Sequence, residues 1–238
     1  MIKQLITIWN PARLYSRAQL KPTIILLLAT ILPTIHVYFG SIDFARKTFS
    51  SISGFGAANY MFTSMFIFMG LLPAAVVVFI FRENLKVYGL TIGDWRKALP
   101  LTIFLIIVIA GLMLYPSSQN ADFRNVYPFD KEAGNSIFTF LRFEILRGVL
   151  FYTAWEFFFR GFMLFGLRKY VGDWIAICIQ TIPSCLWHIG LPIGEIFASI
   201  LAGILFGIIA IRTNSILWVF ILHYLIGVFL DLFIVITP

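Results

Sequence analysis

Glu156 and Arg160 stand four residues apart in the segment Ala154-Trp155-Glu156-Phe157-Phe158-Phe159-Arg160-Gly161, which is apolar enough to lie inside a membrane. On a helix, residues at i and i+4 share a face and can form an ion pair. Charge in hydrocarbon is costly, so an acid and a base at that depth point to a functional site. Two of the three histidines, His188 and His223, fall in later apolar segments. An imidazole buried without a partner costs free energy. Two imidazoles and a carboxylate can hold a water, polarise a carbonyl or bind a metal. Glu156 alone has two readings. Arg160 neutralises it and the pair pins neighbouring helices, or a low-dielectric site makes it a general base for water. Asp231, two turns beyond His223, is placed to orient that imidazole. His36, near the end of the first apolar run with no acid beside it, reads as structural.

These residues must be positioned by a membrane-embedded, all-α bundle. The 238 residues are 60% hydrophobic and only 12% charged, with a mean hydropathy of +0.92. A soluble domain carries about a quarter charged residues. Apolar runs long enough to span occur at 22–40, 59–81, 99–115, 148–167, 174–190, 194–211 and 215–236. The segment 135–147, interrupted by Arg142, Glu144 and Arg147, is either an interfacial lead-in or the start of one long tilted helix. The expectation is seven to eight transmembrane helices in a single domain, 22–238, behind a basic interfacial arm, 1–21. The net charge of +7 comes from residues lying between the apolar runs, which gives topology rather than nucleic-acid binding. Lys3, Arg13, Arg17 and Lys21, the 82–98 connector and the 168–173 segment are expected on the cytoplasmic side, with the N-terminus cytoplasmic.

Two further patterns stand in the same apolar runs. Cys185 and His188, three residues apart, allow a thiol–imidazole dyad, although a small buried residue beside an end-of-helix histidine is the plainer reading. Gly203 and Gly207 form a GxxxG pattern, expected to let helices of the same chain pack closely.

In order and spacing, Glu156 to Gly161, the histidine at 188, and Asn214 to His223 resemble the three motifs of the CPBP family. That family groups CAAX-type prenyl endopeptidases, bacteriocin-processing proteins and Abi-type intramembrane proteases. The resemblance covers about 136–230 and departs from the family pattern at three positions. Trp155 replaces the first of two adjacent glutamates, Ser184 replaces a phenylalanine four residues before His188, and Gly227 replaces an asparagine or aspartate four residues after His223. The resemblance implies an intramembrane endopeptidase hydrolysing a peptide bond in a membrane-associated protein or peptide. Glu156 would activate water, with His188 and His223 assisting and Arg160 and Asp231 in support. A variant places a divalent metal such as zinc between Glu156, His188 and His223. Adjacent helical positions point about 100° apart, so Trp155 and Glu156 are expected to face different places. The alternatives are a catalytically degenerate member that binds a membrane peptide as a scaffold, and a proton-coupled transporter using the same ionisable groups.

Overall fold

A computed structural model describes residues 16–237. Among them the chain is all-α with no strand. The helices are α1 (Leu20–Phe39), α2 (Ile42–Thr48), α3 (Gly54–Ile80), α4 (Trp95–Ser118), α5 (Ala121–Val126), α6 (137–171), α7 (Asp173–Leu186), α8 (Ile193–Thr213) and α9 (Leu217–Ile236). Most of the expected N-terminal arm, residues 1–15 with Lys3 and Arg13, lies outside the described residues.

Among the described residues five helices, α1, α3, α4, α8 and α9, are by length and composition apolar enough to cross a membrane, against seven to eight expected from the apolar runs. Two of the seven expected runs account for the difference. The 174–190 run forms α7, which stops at Leu186 and has 14 residues, short of the roughly 20 a span requires. The 148–167 run continues the charged 137–147 segment as one unbroken helix, α6, starting at a capping box on Ser136 and Thr139. Its charges set it apart from the lipid-facing helices, and protein surrounds it instead. Every residue from 154 to 167 is buried. Phe158, Phe159, Phe162 and Met163 form the centre of the main core, against Met65 and Met69 of α3 and Phe206 of α8. Leu112 of α4, Phe79 of α3 and Leu201 of α8 are exposed, as lipid-facing positions would be.

α6 alternates α-helical turns with wider π-helical ones at 147–152 and 157–165. Such π turns occur frequently at functional sites. The junction before α4 is tied to the α8–α9 turn. Asp94 N–H donates to Thr213 O (2.9 Å) and Ile216 N–H to Gly89 O (2.9 Å), while Trp218 Nε1–H donates to Ile92 O (2.7 Å). Gly93 is required here, because its φ is +61° and the Thr213 carbonyl lies where a side chain would start. On the same side, Lys21 pairs with Glu83 at 2.5 Å, and Tyr88 donates to the same carboxylate at 2.6 Å. Burial opposes ionisation of Glu83, but these two bonds outweigh it and hold the carboxyl below its usual range.

The GxxxG pattern packs α8 against α7. A Cβ on Gly203 would sit 2.7 Å from Thr181 Cγ2, and one on Gly207 would sit 3.0 Å from Ile177. Gln180 Nε2 donates to the Gly203 carbonyl at 2.8 Å, locking the contact. Gly203→Ala is therefore expected to destabilise the bundle by about 1–3 kcal/mol, the usual range for overpacking. Gly111→Ala, where a Cβ meets nothing within 4 Å, serves as the control. Unfolding in mixed micelles measures both, and equal stability of the two variants would refute the packing account.

Candidate active site

Glu156, on the inner side of α6, is fully buried. Its Oε1 accepts from Arg160 Nη1 at 3.2 Å and from His223 Nδ1 of α9 at 2.6 Å. A carboxylate facing a guanidinium can only accept, so His223 carries its proton on Nδ1 and leaves Nε2 free. Glu156 Oε2 is buried with no hydrogen-bond partner. Buried polar atoms in folded proteins are nearly always satisfied by protein or water, so this oxygen marks a place for a water or a substrate group. Arg160 is held on the other side by the ring of Phe206, 5.3 Å away. A cavity of about 380 Å³ reaches Glu156, lined by Thr153, Phe220, Leu217 and the Gly89–Ile92 loop.

His188 follows α7 in a tight turn that leads to Pro192. Its Nδ1 donates to the Ser184 carbonyl at 2.8 Å, which fixes the proton there and directs Nε2 away. Ser184, in place of a larger residue, is buried beneath it. His188 does not touch Glu156 directly, and the link is Trp155. The indole lies 5.5 Å from the His188 ring and 6.0 Å from the His223 ring, steeply inclined to both (79° and 76°). Positions 155 and 156 thus both reach the histidine cluster, contrary to the expectation from helical geometry. The indole is large enough to sweep sideways across the gap that a carboxylate would leave. Its Nε1–H is buried without an acceptor, a second unsatisfied polar atom in the site.

Asp231 does not orient His223. Its carboxylate is 2.9 Å from Arg147 Nη1, and Arg147 also pairs with Glu144 at 2.8 Å, all three being almost fully buried. The guanidinium attracts the acid more strongly than a neutral imidazole could, and His223 Nδ1 is already taken by Glu156. Gly227 has a clear reason. A Cβ there would overlap the Tyr152 hydroxyl and come within 2.9 Å of Arg147 Nη2. The Tyr152 ring in turn packs edge-on to His223, 4.8 Å away. A phenol from α6 therefore occupies the space in which a residue 227 side chain would project.

One residue of the site was missed from sequence. Glu195, in the first turn of α8, places Oε1 3.9 Å from His188 Nε2 and accepts a 2.7 Å bond from Tyr127. Its Oε2 is buried and unpartnered. Burial and the Glu195 carboxyl push the Tyr127 phenol well above its ordinary range, so Tyr127 stays a donor. The available signal was an acid seven residues after His188, across Pro192, in an otherwise apolar run.

The thiol dyad does not form, since Cys185 Sγ points to the Ile196 carbonyl at 3.7 Å. His36 is structural, bonded to Ser64 at 3.1 Å and stacked near Trp187. Among the described residues no three His, Cys, Asp or Glu side chains gather as metal ligands. The donor set expected for zinc is divided, with His223 on Glu156 and His188 on the far side of the indole. The residues present do not fit a metal centre.

The family model described as type II CAAX prenyl endopeptidase Rce1-like matches residues 134–229. Over that segment, which holds α6 through most of α9, the chain is similar to that family. No curated protein and no solved structure matches the chain.

Proposed function

We propose that this protein is an intramembrane endopeptidase that hydrolyses a peptide bond in a membrane-associated protein or peptide. The observation that carries this reading is the 2.6 Å bond between Glu156 and His223 beside an unpartnered Glu156 Oε2. Arg160 balances the Glu156 charge, so the carboxylate is available as an acceptor. A water at Oε2 gives up its proton to Glu156 as its oxygen attacks the scissile carbonyl. The Trp155 Nε1–H, buried without an acceptor, is the donor available to the carbonyl oxygen, in the manner of an oxyanion hole, while His223, held by Glu156 through Nδ1, keeps Nε2 free to accept. The cavity opens toward the 82–94 connector, whose flanks carry Arg82, Lys86, Arg96 and Lys97. By the positive-inside rule that side is cytoplasmic, as is the N-terminus, and the substrate reaches Glu156 from there.

The test is incubation of purified protein with membrane-associated peptides, with mass spectrometry of the products. Discrete cleavage lost in His223→Ala and retained after thorough chelation is the expected result. Peptide binding with no cleavage by the native protein would replace this reading with a non-catalytic peptide-binding role.

A further inference from the structure

The imidazoles of two acid–imidazole pairs face the same indole, and the pairs differ in charge balance. Glu156 and His223 include Arg160, 3.2 Å from the carboxylate. A guanidinium, a carboxylate and a neutral imidazole sum to zero, with no proton to give and an oxygen free to accept one. Among the described residues Glu195 and His188 have no Lys or Arg within ion-pair distance. Two guanidinium groups act on the pair from further off: Arg147, which already faces Glu144 and Asp231 at 2.8 and 2.9 Å, and Arg160, which is paired with Glu156. The groups that do face the second pair are the Tyr127 hydroxyl on Glu195 Oε1 and the Ser184 carbonyl on His188 Nδ1. With Nδ1 occupied, Glu195 Oε1 and His188 Nε2, 3.9 Å apart, are too far apart for a direct hydrogen bond but within reach of one bridging water, through which they reach neutrality by sharing one proton. Both side chains are partly buried, 13% and 20% exposed, and partial desolvation favours that neutral arrangement. Pairs of ionisable groups whose surroundings differ in this way divide acid from base work.

We propose that Glu195 and His188 form the proton-donating half of the active site, delivering the shared proton to the leaving amine. This rests on the endopeptidase reading. Water adds to the carbonyl carbon as its proton moves to Glu156, and the carbonyl electron pair moves onto oxygen. The carbon–nitrogen bond then breaks, its electrons go to nitrogen, and the His188–Glu195 pair supplies the proton that makes the amine. The Glu156 proton and the pair's vacancy are restored by exchange with solvent, for a net reaction of peptide plus water.

The decisive comparison is between a peptide substrate and an ester of the same acyl sequence with a phenolate leaving group, which departs without protonation. Glu195→Gln is expected to slow peptide cleavage by on the order of 10²-fold or more, the usual contribution of a general acid, while slowing the ester by less than about tenfold. Equal losses on both substrates would mark Glu195 as merely structural and overturn the proposal, as would peptide cleavage within about threefold of native. Glu195→Asp, which retains a carboxyl, is expected to recover part of the peptide rate. If Glu195→Gln does not fold, the same comparison on His188→Gln decides the matter by the same criteria. Native protein that cleaves neither substrate would instead remove the endopeptidase reading itself, and this proposal with it.

Discussion

Glu156→Gln is expected to lower kcat for peptide cleavage by on the order of 10²–10⁴-fold, the range a positioned general base contributes. The amide keeps the size of the carboxyl and can still accept from His223 Nδ1 through its oxygen, so the imidazole stays in place. What it loses is the charge that balances Arg160 and the capacity of the second oxygen to take a proton. KM is expected to change little, because the cavity wall at Thr153, Leu217 and Phe220 is untouched. Glu156→Gln that cleaves at the native rate would remove Glu156 from the chemistry. The structural cost of leaving Arg160 buried without its partner is separable. Glu156→Gln combined with Arg160→Met should recover stability but not activity.

The second large effect concerns the Glu144–Arg147–Asp231 cluster, which ties α6 to α9 behind the site. One guanidinium serves two carboxyl groups, all at 2% exposure or less. The approach to Asp231 is electrostatic more than directional, since neither Asp231 oxygen has a well-angled donor. Arg147→Met is expected to destabilise the bundle by about 3–5 kcal/mol, because it strands buried carboxyl groups. Replacing all three, as Glu144→Gln, Arg147→Met and Asp231→Asn, should recover much of that loss. Unfolding in mixed micelles checks both. A loss under about 1 kcal/mol for Arg147→Met would show that the cluster is solvated.

Much of the site was legible because its signal was chemical. Glu156, Arg160 and His223 stand out in apolar sequence, and their partnership follows from the cost of burying them alone. Glu195 was not legible for the complementary reason. A single acid in the first turn of an apolar helix is the ordinary way to satisfy a helix N-terminus, and its contact with His188 depends on the path of the 187–192 turn. Asp231 was assigned to His223 from spacing along one helix. Eight residues turn an ideal helix by about 80° past two full turns, and the pairing was decided by Arg147 on another helix. The helical class was plain from composition. The division of α6 from the lipid-facing helices was not, because hydropathy measures the residues of a segment and not what surrounds it.

The place of Trp155 bears on how related chains are sorted. A scan that demands adjacent glutamates would score this chain as having lost its function at that position. Yet the indole occupies the gap while a carboxyl approaches the histidine from the opposite helix, one turn past a proline. Lineages of this kind are better grouped by whether each motif histidine has an acid within reach in three dimensions than by whether a given column of an alignment is conserved.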